Sequence, residues 1–362
     1  MKNQPLSSLC RPRRVLLFLL VPVCLVFGTL GLTTWFVMVR MPGTSHSGPL
    51  PPLSEQEEAL REALRRDVQK LAGEIGERHV FEYQHLAAAA DFIETSLAAA
   101  GFEVRRQGYE VEALDRLSGK EERRMCHNLE VEIIGKDHPA EIVIVGAHYD
   151  SVAGWPGGWY SEDTPGANDN ASGTAALLAL ARAFAARSTS RTLRFVAFVN
   201  EEPPHFRKDT MGSLVYARRC RQRGENVVAM LSLETIGSYS ETKGSQKYPF
   251  PFGLLYPSTG NFIAFSGNVA SRNLVRQVVG SFRRHAEFPS QGGAVPEIFR
   301  DAGRSDHWAF WQQGYPALMV TDTADFRSLD YHTPGDTPDK IDYDRMARMV
   351  AGLEGVVTKL AD

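Results

Sequence analysis

Cysteine is scarce, with four in 362 residues, and two of these, Cys10 and Cys24, fall in the first forty. A disulfide scaffold and a cysteine-based zinc site are thereby excluded. Cys126 and Cys220 remain in the body, where an oxidising compartment would let them pair. Charge of one sign is also lacking: 40 Lys and Arg stand against 43 Asp and Glu, for a net −3. Residues 1–40 contain Lys2, Arg11, Arg13, Arg14 and Arg40 and no acid, so the body is the acidic part. Without clustered Lys and Arg it is a poor ligand for phosphate backbones, and no nucleic-acid partner is expected. There is no internal repeat. Hydrophobic residues at 43% and charged residues at 23% match globular averages, which excludes disorder and a polytopic membrane protein.

One long apolar run is present. From Val15 to Val39 no residue is charged, and at about 1.5 Å per helical residue this exceeds a hydrocarbon core of roughly 30 Å. Four basic residues precede the run and Arg40 follows it, which keeps the N-terminus cytoplasmic and sends the remainder across the membrane. The expected organisation is a basic tail over 1–14, a signal-anchor helix over 15–39, a Pro/Gly/Ser linker over 40–52 and a catalytic domain over 53–362. A cleaved signal peptide ending near Thr29-Leu30-Gly31 is the alternative, which would release the body as a secreted protein. Cys24 lacks the small preceding residue that lipid modification needs. In the linker, Met41–Pro52 (MPGTSHSGPLPP) spaces the body from the membrane.

In the body, Leu53–Ala72 and Gln84–Ala100 read as helices, the second closed by Gly101. Phe102–Val111, Asn128–Ile134 and Ile142–Val145 read as strands of increasing burial. Helices over Thr174–Arg187, Ser213–Arg223, Arg272–Arg284, Ser305–Gln313 and Tyr343–Leu360 then interleave with strands over Leu193–Val199, Val227–Leu233, Asn261–Ser266 and Ala317–Thr321. That alternation predicts an α/β fold: a mostly parallel, mixed central sheet with helices on both faces. Such sheets place their sites at the carboxyl ends of strands.

Three of these strand ends carry chemistry. Ile142–Val145 runs into His148, Leu193–Val199 into Glu201 and Glu202, and Val227–Leu233 into Glu234. Adjacent carboxylates after an apolar strand are unfavourable unless a cation offsets them or the loop is solvated. Asp169, in NDNASG before an Ala/Leu-rich helix, could simply be a helix cap. His332 lies in a turn-rich loop, DYHTPGDT. Together, His148, Asp169, Glu202, Glu234 and His332 supply two imidazoles and three carboxylates, a donor set suited to zinc or a related divalent ion. Two ions roughly 3.5–4 Å apart would take one His and one acid each with a shared carboxylate. Glu201 is left over beside a ligand, where it could take a proton from activated water. Asp150, two residues after His148, could accept the other imidazole N–H.

These residues resemble the co-catalytic zinc aminopeptidase family, which includes bacterial leucyl aminopeptidases and the glutamate carboxypeptidase and transferrin-receptor ectodomains. The match runs from about Leu71 to Ala361. It is carried by GAHYDS at 146–151, NDNASG at 168–173, NEE at 200–202, LETIG at 233–237, SDHWAFWQQGYPAL at 305–318 and YHTPGDT at 331–337. The resemblance implies His148 and Glu234 on one zinc, Glu202 and His332 on the other, and Asp169 between them. It makes Glu201 the general base and Asp150 the partner of His148, with peptides bearing a free N-terminus as substrates. Two departures stand out. Glu234 occupies a position that is Asp in many relatives. Ala302 sits where some secreted relatives carry an oxyanion-stabilising Tyr, and Tyr331 is the candidate substitute.

Asp306 could orient a ligand or cap the following helix. Trp155, Trp159 and Tyr160 could shape the substrate mouth or pack locally. Pro203-Pro204-His205-Phe206 reads as a rigid turn whose His205 is not a ligand. The sequon Asn170-Ala171-Ser172 would put a glycan beside Asp169 and is expected to be unused. A single-zinc glutaminyl-peptide cyclotransferase is the nearest alternative to an aminopeptidase, ahead of a carboxypeptidase or other amide hydrolase and a non-catalytic binding ectodomain.

Overall fold

The computed structural model describes residues 29, 31, 38–114, 116, 119–154 and 160–362. The chain divides into Met1–Arg40 and Met41–Asp362. The expected cytoplasmic tail and nearly all of the expected span Val15–Val39 lie outside the described residues. Among those that are described, no helix is long and apolar enough to cross a membrane. The sheet and the helices that cover it all belong to the unit Met41–Asp362.

An eight-stranded sheet is built from β1 (Arg105–Leu114), β2 (Glu121–Ile133), β3 (His138–His148), β4 (Arg191–Phe198), β5 (Asn226–Glu234), β6 (Ile263–Gly267), β7 (Ser290–Ala294) and β8 (Ala317–Thr321). Their spatial order is β1-β2-β4-β3-β5-β8-β6-β7. The four central strands, β4, β3, β5 and β8, are mutually parallel. Antiparallel pairings join this block to its flanks at β2/β4 and β6/β8. This is the mixed, mostly parallel sheet that the alternating pattern predicts.

The central strands bury both faces, which is why they read as apolar runs. Along β3, Val143, Val145 and Ala147 join one core cluster while Ile142 and Ile144 join the other. The first face is covered by α1 (Glu55–Val68), α2 (Tyr83–Ala99), α3 (Gly173–Phe184), α5 (Arg272–His285) and α7 (Tyr343–Ala361), and the second by α4 (Gly212–Gln222) and the short α6 (His307–Trp311). Helix α1 starts at a reciprocal cap: Ser54 Oγ accepts from Glu57 N, and the Glu57 carboxylate accepts from Ser54 N at 2.8 Å. Such a pair satisfies two orphan donors of the first turn. The α2 helix closes as expected, with Gly101 at φ +95° where a side chain would be strained.

Two differences from the expected elements have physical causes. The β2 strand begins at Glu121, well before the expected Asn128. Its Glu121–Met125 half is mostly solvent-exposed and pairs with β1 in a polar ribbon, so no apolar face marks it. The β7 strand, Ser-Gln-Gly-Gly-Ala, contains no strand-favouring side chain. It forms because α5 and the N-terminal stretch press on it: a Cβ at Gly292 would stand 2.7 Å from Val279 Cγ2 and 2.9 Å from Met41 Cγ. Helix α6 is shorter than expected at both ends.

The 41–52 stretch is irregular, as its composition suggests, and its first part lies along the body. Arg283 Nη1 donates to the carbonyls of Pro42 and Gly43, and Ser45 Oγ accepts from Ser290 N. Cys126 and Cys220 are both buried and free, so the pairing considered for them does not form.

Candidate metal centre

The carboxyl ends of β3, β4 and β5 meet at one point. His148 is the last residue of β3, Glu234 the last of β5, and Glu201 and Glu202 follow β4. The backbone is left-handed at Asn200 (φ 60°), Thr235 (φ 44°) and His332 (φ 56°). Each such turn costs about 1–3 kcal/mol and persists only where the surroundings dictate it. All three lie at or next to residues of this centre.

Two trios of donor atoms result: His148, Asp169 and Glu234, and Asp169, Glu202 and His332. His148 Nε2 lies 3.1 Å from Glu234 Oε2 and 3.3 Å from Asp169 Oδ1. His332 Nε2 lies 2.8 Å from Asp169 Oδ2 and 3.1 Å from Glu202 Oε1. Asp169 thus turns one oxygen toward each imidazole. All five residues are buried.

The donor chemistry fits a cation. His148 Nδ1 faces the Asp150 carbonyl at 3.2 Å, an acceptor, so the ring proton belongs on Nδ1. The Nε2 lone pair then faces two carboxylates. Both Asp169 oxygens, Glu202 Oε1 and Glu201 Oε1 find no hydrogen-bond donor among the described residues, an expensive arrangement unless a positive ion sits between them. Ligand bonds of about 2.0–2.2 Å to a tetrahedral zinc put donor atoms roughly 3.3 Å apart, close to the spacings found. Without such an ion the groups share protons. Burial and the neighbouring Asp169 charge push the Glu202 carboxyl up to about 7, against the pull of His332. Burial would lower both imidazoles, but Glu234 for His148 and Glu202 for His332 raise them well above 6.5.

Glu201 is buried, with Oε2 4.0 Å from His148 Nε2. Burial raises its pKa well above the carboxylate range, and Glu202, Glu234 and Asp306 add to the rise. Asp150 makes its shorter bonds to the chain that leaves β4. Its carboxylate stands 3.5 Å from His148 Nδ1, beyond a good hydrogen bond. It instead accepts the backbone N–H groups of Glu201 and Glu202, each at 3.1 Å, and its own carbonyl serves the imidazole. Glu234, longer by one methylene than the Asp of many relatives, is held by Ser305 Oγ at 2.7 Å.

The loop that carries Asp169 is fixed from several sides. Asp336 accepts from the N–H groups of Asn168 and Asp169 at 2.7 and 2.9 Å. Asn168 donates to Asp322 at 2.9 Å and accepts from Gly237 N. Asn170 Nδ2 donates to the Leu233 carbonyl at 2.8 Å, so the sequon nitrogen is buried and engaged. Beneath the loop Arg78, fully buried, donates to the carbonyls of Tyr149, Gly76, Pro165 and Gly166. It thereby ties the His148 strand end to the loop before Asp169. Burial lowers its pKa to about 10, against the nearby Asp336, Asp150 and Asp169.

Sequence reasoning passed over Arg78, Asp336, Asp322 and Ser305. Asp336 and Ser305 lie inside the YHTPGDT and SDHWAFWQQGYPAL motifs and were legible as part of them. Arg78 lies in no pattern. Asp306 makes no side-chain bond to the first turn of α6 and so is not its cap. It lies buried beside His148, Glu234 and Asp150, and burial pushes it up to about 7. His205 is outside both trios, with Nδ1 2.8 Å from Thr210 Oγ1. Tyr160 meets the His332 ring edge-on at 4.4 Å, while Trp155 and Trp159 lie outside the described residues. Tyr331 stacks on the His332 ring at 3.8 Å.

Beside Glu234 and Tyr331 lies a cavity of about 150 Å³ walled by Tyr248, Phe252, Tyr256, Phe262, Phe299 and Met319. It is an apolar recess at the edge of a polar centre, the common form of a small-molecule site.

The chain is similar to known proteins over most of its length. The sequence profile of peptidase family M28 matches residues 128–357. The chain is 35% identical over 303 residues to the Escherichia coli (strain K12) protein described as uncharacterized protein YfbL, covering 83% of this chain and 88% of that one. It is 26% identical over 312 residues to leucine aminopeptidase 1 of Arthroderma otae, covering 83% and 74%. In three dimensions it is similar to a zinc aminopeptidase from Bacillus subtilis, with a TM-score of 0.62 at 15% identity, covering 83% of this chain and 95% of that one.

Proposed function

The chain belongs to peptidase family M28 and is a zinc-dependent peptidase; on that footing we propose that it is an aminopeptidase with two ions per chain. His148, Asp169 and Glu234 would hold one ion, and Asp169, Glu202 and His332 the other. The observation that carries this reading is the orientation of Asp169, whose two oxygens face the two imidazoles at 3.3 and 2.8 Å. A single-ion cyclotransferase needs only one of the two trios, so the presence of both favours the two-ion reading.

Ions bound there supply Lewis-acid polarisation of the scissile carbonyl and make water acidic near neutral pH. Glu201 takes the proton of the attacking water and returns it to the leaving nitrogen, a role that its place next to Glu202 and 4.0 Å from His148 Nε2 supports. Tyr331 donates its phenol hydrogen to the carbonyl oxygen as negative charge develops. The apolar recess beside Glu234 receives the side chain of the N-terminal residue, so Leu, Met and Phe are preferred over charged residues. The N-terminal run Val15–Val39 tethers the enzyme with its body outside the cytoplasm, the four preceding basic residues holding the N-terminus inside.

The test uses the purified full-length chain, its metal content measured, with leucine amide, N-acetyl-leucine amide and a peptide beginning with Gln. The reading expects close to two zinc per chain, cleavage of leucine amide and no cleavage of the blocked amide. One zinc with release of ammonia from the Gln peptide would install the cyclotransferase instead. Equal cleavage of blocked and free amides would remove the aminopeptidase assignment.

A further inference from the structure

Three tyrosines wall the recess beside Glu234, and their hydroxyls are not equivalent. Tyr248 donates to the Pro257 carbonyl at 2.8 Å and Tyr256 to the Gly292 carbonyl at 3.0 Å, so each has spent its hydrogen on backbone. Tyr331 is placed the other way round, with Oη accepting from Arg304 Nη2 at 3.3 Å. A guanidinium has no acceptor atom, so the phenol hydrogen cannot return along that bond and remains for another partner. The ring is fixed from both directions. It stacks on His332, and Arg304 Cζ lies 5.5 Å from its centroid. Arg304 is itself held by Asp325 at 2.8 Å. On the same wall, where some relatives offer a phenol, Ala302 offers a methyl group.

We propose that Arg304 is a positioning residue: it anchors the Tyr331 hydroxyl from behind and directs its hydrogen toward the substrate carbonyl oxygen, doing in two residues what a Tyr at 302 would do in one. The proposal rests on the aminopeptidase reading. Arg304 touches no reacting atom. It acts through the phenol, so its effect belongs to the transition state and falls on kcat, whereas a guanidinium that bound a substrate carboxylate would act on KM.

A double-variant cycle on the full-length zinc-loaded enzyme tests this, using Arg304→Met, Arg304→Lys, Tyr331→Phe and the double variant Tyr331→Phe/Arg304→Met. Besides kcat and KM for leucine amide, the readouts are zinc content, thermal midpoint and calorimetric affinity for the phosphonic acid analogue of leucine, a tetrahedral mimic. Tyr331→Phe is expected to lower kcat roughly 10²-fold and Arg304→Met about tenfold. KM and zinc content stay near wild type, Arg304→Lys recovers part of the loss, and the phosphonate affinity falls in parallel with kcat. In the Tyr331→Phe background, Arg304→Met should cost less than about a further twofold. Losses that multiply in the double variant, or that appear in KM, overturn the role of Arg304 and leave the aminopeptidase reading intact. Full activity in Tyr331→Phe overturns both the phenol assignment and this proposal while leaving the aminopeptidase reading intact, whereas absence of aminopeptidase activity in the wild type overturns the underlying reading and this proposal with it. Should Arg304→Met not fold, Asp325→Asn loosens the same anchor from its outer side. It must then lower kcat in the wild type and not in Tyr331→Phe.

Discussion

The carboxylate of Asp150 accepts both consecutive backbone N–H groups of Glu201 and Glu202 at 3.1 Å, so the end of β3 dictates how the chain leaves β4. The proposed base Glu201 and the proposed ligand Glu202 share this one support, and the Asp150 carbonyl holds His148 as well. Replacing Asp150 with Asn puts an N–H₂ where one of two acceptors was, next to a donor. Asp150→Asn is expected to keep the fold while losing about 10–100-fold in zinc affinity and kcat, read by competitive zinc titration and leucine amide hydrolysis.

The Glu201 side chain is lightly engaged: its Oε1 finds no donor among the described residues and its Oε2 stands 4.0 Å from His148 Nε2. Glu201→Gln should therefore retain zinc and its thermal midpoint. It should lose kcat by about 10²–10⁴-fold, with KM little changed. A variant that lost zinc in proportion to activity would make Glu201 a ligand and not a base.

Without metal the centre is a buried cluster of acids and imidazoles whose protonation bears on stability. Burial raises Glu201, Glu202 and Glu234 above their ordinary 4.5, Glu202 to about 7, and the imidazoles of His148 and His332 are raised above 6.5 by the adjacent acids. For each group the native state holds its proton more tightly than the unfolded chain does. That contribution is complete at low pH and disappears as pH rises through the native pKa. EDTA-treated protein is therefore expected to melt at a lower temperature at pH 8 than at pH 6, and added zinc should restore more at pH 8. Calorimetry at the two pH values checks both statements.

Among the described residues Arg78 has no carboxylate within salt-bridge distance, so its cost is met by backbone carbonyls from three segments. Arg78→Met leaves those carbonyls buried without a donor, at about 1–3 kcal/mol each before relaxation. A loss of at least about 3 kcal/mol in urea unfolding of the metal-free protein is expected. Arg78→Lys should recover little, since three donors on one atom cannot span the fork of a guanidinium.

Legibility followed the kind of partner each residue has. His148, Glu201, Glu202 and Glu234 stand at the ends of apolar runs, and an acid or imidazole in that place is conspicuous in one dimension. The parallel block was legible for the same reason: two-sided burial makes Leu193–Phe198 and Val227–Leu233 nearly continuous apolar stretches. Arg78 was not, because its partners are peptide carbonyls, which carry no residue identity. Strand β7 was not, because Gly292 is chosen for the approach of Val279 and Met41 and not for any preference of its own. Asp150 was half legible. Its nearness to His148 along the chain suggested the imidazole, while its bonds to the β4 exit depend on how far that loop folds back across β3.

The shared position of Asp169 also bears on biosynthesis. A chain emerging from the ribosome completes the trio of His148, Asp169 and Glu234 while the last third is still untranslated, but the partner trio must wait for His332. A polypeptide clipped before His332 would keep the residues of the first trio yet lose the second, and with it Asp336, which fastens the loop that carries Asp169.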